Sequence, residues 1–330
     1  MNDIMRLATG YWPAAALNAA VTLGLFDALD AAPLPADAVA SRLNTSPHHT
    51  RELLDALAGL ALLEKNGGKY AIAATAQKFL SPRGEASILG ALRYNNDLYP
   101  IWGKLAESVR CGKPAVPPHA HLGDDPERTR RFVLGMNSRA LGLAPSLLPA
   151  LEIADNTALL DVACGAGTFS RLLAEKMPGL RVTQFDLPPV LAVARELAQG
   201  NPRINFVPGD YHHDPLPGGS RGRSPSSAFD TVLYCGALHQ ETPESAAALF
   251  KKIRASLAPN GRAVIVDLMT DATSTNPVFA RLFSINMMLT NEGGRVFTLD
   301  ETETLLRGAG FTQTTSRLLD IPYGVVVARS

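Results

Sequence analysis

A short run of residues in the middle of the chain constrains its fold more than any other stretch. It reads Leu159-Leu160-Asp161-Val162-Ala163-Cys164-Gly165-Ala166-Gly167-Thr168-Phe169, and a helical pattern, Ser170-Arg171-Leu172-Leu173-Ala174-Glu175-Lys176, follows at once. Glycines suit such a turn because a side chain there would keep the backbone away from a ligand. A strand, a glycine turn and a helix in succession predict the opening of a nucleotide-binding βαβ unit.

A second strand pattern, Arg181-Val182-Thr183-Gln184-Phe185, ends at an acid, Asp186. This acid lies 25 residues after Asp161. A carboxylate at the tip of the second strand suits a ribose diol, because it can accept hydrogen bonds from both hydroxyls. The glycine turn alone is also compatible with a dinucleotide site, where the N-terminus of a helix holds a pyrophosphate.

The order of these motifs resembles a known family. Asp161-Val-Ala-Cys-Gly-Ala-Gly followed by Asp186-Leu187-Pro188 is similar to the S-adenosylmethionine loop of class I methyltransferases. More narrowly, the chain resembles the small-molecule O-methyltransferases of plants and bacteria, which include caffeate, acetylserotonin and polyketide methyltransferases. The resemblance implies an enzyme that uses S-adenosyl-L-methionine as its cofactor and releases S-adenosyl-L-homocysteine.

The resemblance also implies a fold and a domain order. We expect an α/β chain: a Rossmann-like class I methyltransferase domain with a mostly parallel seven-stranded sheet, preceded by an all-helical winged-helix dimerisation domain. The expected boundaries are 1–90 for the winged-helix-like domain, 91–150 for linking helices that contribute to the acceptor pocket, and 151–330 for the catalytic domain. Strand patterns at 158–162, 181–185, 204–207, 229–235 and 262–268, with a pair near 310–328 that this class forms antiparallel, agree with an open α/β sheet.

Residues 33–80 carry the pattern of a helix-turn-helix followed by a hairpin. Two amphipathic helices are followed by Leu62–Lys65 and Lys69–Ile72, which Asn66-Gly67-Gly68 joins. This shape also binds DNA in other proteins. The second helix, however, offers Glu52 and Asp55 beside Arg51 and has no basic stripe. The resemblance implies that the winged helix, with the small-residue helix of residues 4–30, forms a homodimer; DNA binding is the alternative.

Composition limits the partners and the compartment. Of the 330 residues, 31 are Lys or Arg and 31 are Asp or Glu, so we expect neither nucleic acid nor an anionic membrane as a partner. The cysteines, Cys111, Cys164 and Cys235, show no metal or disulfide spacing, which indicates a reducing, cytoplasmic environment. No apolar run reaches the roughly 18–20 residues of a membrane span, and the N-terminus lacks a signal layout.

The resemblance assigns the donor site to residues at four strand ends. The third strand is followed by Gly209-Asp210-Tyr211, where the family places an acid near the exocyclic amine of adenine and a large side chain against its ring. The full set that we expect to bind the cofactor is Asp161, Ala163, Gly165, Gly167, Asp186, Leu187, Gly209, Asp210, Tyr211 and Cys235.

One histidine is the expected general base. His239 follows the strand Phe229–Cys235, and ligands of open α/β sheets bind at such carboxyl ends. Imidazole suits this task because its unperturbed pKa is about 6.5. The family flanks this histidine with two acids. Asp267 matches the first, and Val296 stands at the place of the second, so Glu292 or Glu241 replaces that carboxylate or the reaction needs less help with the proton.

Two helices are expected to line the acceptor pocket. The resemblance places Met136, with Asn137, on a helix whose methionine reaches the site, and the apolar helix around Phe283, Asn286 and Met287 is expected to cover it. The predicted reaction is methyl transfer to a hydroxyl of an aromatic or polyketide-like molecule. The alternatives are a C- or N-methyltransferase, a methyltransferase-fold protein with a different reaction, and a DNA-binding regulator.

Two further stretches are expected to lie on surface loops. His119-x-His121 lacks a nearby third ligand, so no metal site is predicted. The Gly, Ser, Pro and Arg-rich stretch 214–228, with Arg221 and Arg223, shows no periodicity and is expected to be a solvated loop.

Overall fold

The structure is a computed structural model, which describes residues 3–84, 86–116, 125–218 and 228–329. The chain divides into two compact units. The first comprises Met1–Pro100 and Leu134–Gly142, and the second comprises Ile101–Val133 and Leu143–Ser330. His119, His121, Arg221 and Arg223 lie outside the described residues.

The first unit is built from short helices and a small sheet. Its elements in chain order are α1 (Asp3–Ala8), α2 (Tyr11–Leu23), α3 (Leu25–Leu29), β1 (Leu34–Pro35), α4 (Ala36–Leu43), α5 (Pro47–Gly59), β2 (Leu63–Asn66), β3 (Lys69–Ile72), α6 (Gln77–Leu80) and most of α7 (Leu89–Trp102). Its core is apolar and includes Leu25, Phe26, Leu54, Leu57 and Tyr70.

The predicted hairpin is present in this unit. Strands β2 and β3 pair antiparallel, and β1 adds to the other edge of β3, so the order is β1-β3-β2. Gly67 and Gly68 between β2 and β3 have φ of 57° and 76°. Such a turn needs positive φ at both central residues, which explains the two glycines.

The second unit contains a layered α/β domain. Its strands are β4 (Ala158–Val162), β5 (Arg181–Asp186), β6 (Ile204–Pro208), β7 (Phe229–Cys235), β8 (Leu257–Asp267), β9 (Gln313–Leu318) and β10 (Gly324–Arg329). Its helices include α8 (Leu105–Cys111), α10 (Thr168–Lys176), α11 (Pro188–Leu197), α12 (Pro243–Ser256), α13 (Val278–Thr290) and α14 (Leu299–Gly308). The long helix α9 (Pro126–Leu151) passes through both units.

The strand order of the large sheet is β6-β5-β4-β7-β8-β10-β9. Strands β4 to β8 pair parallel with one another, and β10 pairs antiparallel with both β8 and β9. The expected mostly parallel seven-stranded sheet with an antiparallel last pair is therefore confirmed. The chain runs outward from β4 to β6 and then returns to β7 on the other side, so the order reverses beside β4. Open α/β sheets bind ligands at the carboxyl ends of strands at such a reversal.

Alternation of side chains along the strands builds two apolar cores. Leu160, Val232 and Tyr234 lie in one cluster, which α12 and α14 help to cover, while Leu159 and Leu233 lie in the other. Successive residues of a strand point to opposite faces, so both faces of this sheet are buried.

Candidate active site

The glycine turn between β4 and α10 combines a packed side with an open side. Gly165 and Gly167 have φ of 57° and 63°. A Cβ on Gly167 would lie 2.0 Å from Nε2 of Gln184, whereas a Cβ on Gly165 would have no heavy atom within 4 Å. Ala163 also has positive φ, at 54°. The turn therefore packs against β5 at Gly167 and leaves open space at Gly165, where a ligand can approach the backbone.

Two acids lie at the carboxyl ends of β4 and β5. Asp161 is buried, and burial raises its pKa to about 7 although a hydrogen bond with Ser170 opposes the shift. Asp186 accepts hydrogen bonds from the backbone N–H of Gly165 at 2.8 Å and of Leu187 at 2.7 Å. Burial raises the pKa of Asp186 to about 6, against these two hydrogen bonds. The sequence-predicted acids thus lie at the same edge of the sheet as the glycine turn.

The loop after β6 is held at several points. A Cβ on Gly209 would lie 2.5 Å from the ring of Phe185, so only glycine fits there. Asp210 accepts a hydrogen bond from the backbone N–H of His212 at 2.8 Å. The hydroxyl of Tyr211 donates to Oε1 of Glu241 at 2.8 Å. The three residues assigned to adenine by resemblance therefore sit on a fixed loop.

A lysine that the sequence did not single out also holds this loop. Nζ of Lys252, on α12, donates to the carbonyl oxygens of Tyr211, His212 and Asp214 at 2.7, 3.0 and 2.9 Å. A lysine on an amphipathic helix reads as a solvated surface residue, and its partners lie about 40 residues earlier in the chain, so the sequence gives no signal for it.

The carboxyl end of β7 supplies a thiol and then the histidine. Burial raises the pKa of Cys235 well above its usual range, so its thiol stays neutral. Gly236, with φ of 74°, turns the chain into a short 3₁₀ turn, Leu238–Gln240, that carries His239. This turn lies next to the end of β8, since Gly236 N–H donates to the carbonyl of Val266 at 2.8 Å.

His239 and Asp267 form a close pair. Nδ1 of His239 lies 2.8 Å from Oδ1 of Asp267, and the backbone N–H of His239 donates to Oδ2 at 3.1 Å. The side chains are 13% and 2% exposed. Because a carboxylate accepts, the pairing places the proton on Nδ1 and leaves the lone pair on Nε2. Among the described residues, no side chain other than Asp267 hydrogen-bonds this imidazole.

The two candidates for a second acid lie in different settings. Glu241 is buried and engaged by Tyr211, whereas Glu292 is exposed on the turn after α13. Neither makes a hydrogen bond to His239 among the described residues. Val296 is buried in the same apolar cluster as Leu159 and Leu233, and its N–H donates to Oγ of Ser284 at 3.2 Å.

Helix α13 presents aromatic and polar side chains beside the histidine. The ring of Phe283 meets that of His239 edge to face, with centroids 4.9 Å apart. Asn286, one turn further on, accepts a hydrogen bond on Oδ1 from the indole N–H of Trp102 at 3.0 Å. Indole nitrogen only donates, so the amide orientation of Asn286 is determined and its NH₂ group remains for another partner. Met287 is buried on the same helix.

Two of the residues that are expected to contact the acceptor belong to the first unit. Met136 and Asn137 lie on α9, in the segment 134–142 that belongs to the first unit. Their place relative to His239 stays a prediction.

No group of three or more His, Cys, Asp or Glu side chains is arranged to hold a metal ion within the described parts of the chain. In the same residues, no helix is long and apolar enough to cross a membrane.

Comparisons with known proteins match both units. Family models described as "O-methyltransferase domain" and "O-methyltransferase dimerisation domain" match residues 102–312 and 5–82. The tetracenomycin polyketide synthesis 8-O-methyl transferase TcmO of Streptomyces glaucescens is 30% identical over 335 residues, covering 99% of this chain and 96% of that protein. The 3-hydroxy-5-methyl-1-naphthoate 3-O-methyltransferase of Streptomyces sahachiroi is 31% identical, covering 93% of this chain and 88% of that protein.

A solved structure is similar over the full length. Human N-acetylserotonin methyltransferase in complex with S-adenosylmethionine superposes with a TM-score of 0.88 at 26% identity, covering 100% of this chain and 98% of that one.

Proposed function

Because the chain belongs to the O-methyltransferase family and is an S-adenosylmethionine-dependent methyltransferase, we propose that it methylates a phenolic hydroxyl of a polyketide-like aromatic molecule. His239 is the general base in this proposal. The observation that carries it is the His239–Asp267 pair, which leaves Nε2 free at the carboxyl edge of the sheet.

The donor fits the residues at this edge. Gly165 leaves open space beside the backbone, and Asp186 lies at the tip of β5, where a carboxylate can accept from the ribose hydroxyls. Asp161, Ala163, Gly167, Leu187, Gly209, Asp210, Tyr211 and Cys235 complete the proposed donor site. When bound, S-adenosylmethionine supplies the methyl group that the acceptor oxygen attacks.

The histidine pair performs the proton chemistry. Nε2 of His239 takes the proton of the acceptor hydroxyl, and Asp267 keeps the ring in the required tautomer and stabilises the imidazolium that forms. Two backbone N–H groups, of His239 and Leu268, hold the carboxylate of Asp267 in place. Phe283 against the ring limits its rotation and excludes water from one side.

The absence of a carboxylate at position 296 favours an acidic hydroxyl. A phenol, with an ordinary pKa of about 10 as in tyrosine, loses its proton far more readily than an alcohol. A phenol therefore needs less help from a second acid than an alcohol does. The printed names of TcmO and the naphthoate 3-O-methyltransferase also concern hydroxyl methylation in polyketide and aromatic chemistry.

The acceptor is proposed to bind beside α13. Phe283 and Met287 provide apolar surface for a flat ring, and the NH₂ group of Asn286 can donate to an oxygen of the acceptor. Met136 and Asn137 also remain proposed acceptor-binding residues.

The test is transfer of a deuterated methyl group. Purified protein is incubated with deuteromethyl S-adenosylmethionine and a panel of phenolic polyketides, and mass spectrometry identifies the labelled product. His239→Ala should lower turnover by about 10²–10⁴-fold and leave S-adenosylhomocysteine affinity unchanged by calorimetry. Asp267→Asn should lower turnover in the same way. A fully active His239→Ala protein would contradict the proposed base, and fragmentation that places the label on carbon or nitrogen would contradict O-methylation.

A matched variant addresses the second acid. Glu292 is the remaining candidate, because Glu241 is already engaged by Tyr211. Loss of turnover in Glu292→Gln would support its role, and unchanged turnover would leave His239 and Asp267 as the complete proton machinery.

A further inference from the structure

A buried carboxylate lies directly after the turn that carries the histidine. Glu241 is 1% exposed. Its Oε1 accepts from the hydroxyl of Tyr211 at 2.8 Å and lies 3.5 Å from Nε2 of His212. Its Oε2 is buried and has no hydrogen-bond partner among the described residues. Burying a carboxylate with one oxygen unsatisfied is costly, so this residue must serve some contact that compensates for it.

Glu241 contacts the loop after β6 through the hydroxyl of Tyr211. The hydroxyl of Tyr211 is shielded, and burial raises its pKa well above its usual range, so it stays a protonated donor to Glu241. The ring of Tyr211 also lies against His212, with centroids 4.3 Å apart, and meets Tyr234 edge to face at 6.0 Å. Glu241 therefore determines where the hydroxyl end of the Tyr211 ring is held.

The backbone of the same loop is held separately. Lys252 donates to three carbonyl oxygens of residues 211–214. The backbone is therefore held by a lysine and the side chain of Tyr211 by a carboxylate. Removing the carboxylate should free the ring without releasing the loop.

We propose that Glu241 is a positioning residue for the methyl donor. It holds the ring of Tyr211 in the orientation that receives the adenine, and it acts through the hydroxyl of Tyr211. This inference rests on the proposed assignment of Tyr211 to the donor site. A ring held before binding does not lose rotational freedom when the ligand arrives, which improves affinity.

The experiment measures S-adenosylhomocysteine affinity by calorimetry for the full chain and a matched set of variants. Glu241→Gln retains a carbonyl that can accept from Tyr211, whereas Glu241→Met has a similar length and no acceptor. Tyr211→Phe removes only the hydroxyl. We expect Glu241→Met and Tyr211→Phe each to raise Kd roughly three- to tenfold, the range for freeing one side chain, and Glu241→Gln to stay within about twofold of the parent.

A double variant separates positioning from folding. Because Glu241 acts through the Tyr211 hydroxyl, Tyr211→Phe/Glu241→Met should bind no more weakly than either single variant. Thermal unfolding is recorded in parallel. A lower Tm with unchanged Kd in Tyr211→Phe and Glu241→Met would mean a structural role only and would overturn the inference. If Glu241→Met does not fold, an unchanged Kd in Tyr211→Phe still overturns the inference, because the proposed effect passes through that hydroxyl.

Failure of the donor site itself gives a different pattern. If Asp186→Ala binds S-adenosylhomocysteine as tightly as the parent, the proposed donor site is wrong. If Asp186→Ala loses binding while Glu241→Met and Tyr211→Phe keep it, the donor site stands and only the role of Glu241 is overturned.

Discussion

The carboxylate of Asp186 is held in place by the backbone. Both of its oxygens accept backbone N–H groups, from Gly165 and Leu187. A carboxylate has lone pairs for more than two donors, so the ribose hydroxyls can join without displacing these bonds. The bond to Gly165 ties the acid of β5 to the glycine turn of β4. One residue thus fixes the turn and, in the proposed site, recognises the ribose.

The raised pKa of Asp186 predicts a pH-dependent donor affinity. Burial raises the pKa of Asp186 to about 6, and hydrogen bonds from ribose hydroxyls would favour the ionised form. Binding therefore requires loss of a proton below pH 6, and S-adenosylhomocysteine affinity should fall up to about tenfold for each pH unit below 6. Calorimetry between pH 5 and 8 measures this.

Asp186→Asn is the control for this pH series. Its amide at position 186 cannot ionise, so the weaker binding of this variant should lose the part of the pH dependence that Asp186 contributes. A parent protein with constant affinity from pH 5 to 8 would contradict the prediction.

The positions of residues that follow a recognisable strand could be predicted from the sequence. Contacts between residues that only the folded chain brings together could not. Strand patterns and the family resemblance together indicate that His239 and Asp267 lie at strand ends, and the structure brings the two side chains to 2.8 Å. The bond between Tyr211 and Glu241 joins residues 30 positions apart, and Lys252 reaches the same loop from a helix. No periodicity marks such contacts, because they arise only when the loop packs against α12 and the 3₁₀ turn.

At the scale of secondary-structure elements, the two glycines of the turn between β4 and α10 differ. Gly165 faces open space, and Gly167 packs against β5. Gly165→Ala adds a methyl group to open space. The left-handed φ should lower the free energy of unfolding by about 1–2 kcal/mol, but the fold should stay intact. The added methyl group should block the donor. Gly167→Ala places a Cβ 2.0 Å from Gln184. It should add an overpacking cost of about 1–3 kcal/mol to the same φ cost.

Denaturant unfolding and calorimetry on the two variants check this contrast. We expect Gly165→Ala to have the larger loss of S-adenosylhomocysteine affinity and Gly167→Ala the larger loss of stability. The reverse order would show that the open side of the turn does not face the donor.

The strand bounds show where sequence patterns mislead. Strand β8 begins at Leu257, five residues before the predicted start at 262. Ala258-Pro259-Asn260-Gly261 reads as a turn because Pro, Asn and Gly favour turns. In the structure, Leu257 pairs with Phe229, and a register shift absorbs the irregular residues before Arg262 resumes the ladder opposite Thr231. A bulge of this kind depends on the partner strand, which local composition does not reveal.

For the whole molecule, the matched dimerisation domain at 5–82 supports a homodimer. Large apolar side chains on α1 and α2 are exposed in the single chain, with Leu7 82% and Trp12 61% exposed. Exposed apolar surface of this kind marks interaction sites. We therefore propose that these helices contact a second copy.

Sedimentation analysis tests this assembly. Leu7→Glu/Trp12→Glu should weaken self-association by at least about tenfold. In the proposed dimer these two apolar side chains would be buried, and the variant replaces them with charges. Val109→Glu on α8, at a comparably exposed apolar position outside the dimerisation match, is the control and should leave association unchanged. A parent chain that is monomeric at assay concentrations would contradict the homodimer.

The position of β10 has a consequence for synthesis. This strand follows the other six strands of the large sheet in chain order, yet it lies between β8 and β9 and covers the edge of β8 that ends in Asp267. Until Gly324–Arg329 has left the ribosome, that edge has no neighbour, and an uncovered strand edge is open to wrong pairing. The proposed base and its carboxylate can therefore become a rigid pair only after Gly324–Arg329 has been synthesised, so a nascent chain that lacks this segment should be a poor catalyst however complete its donor site.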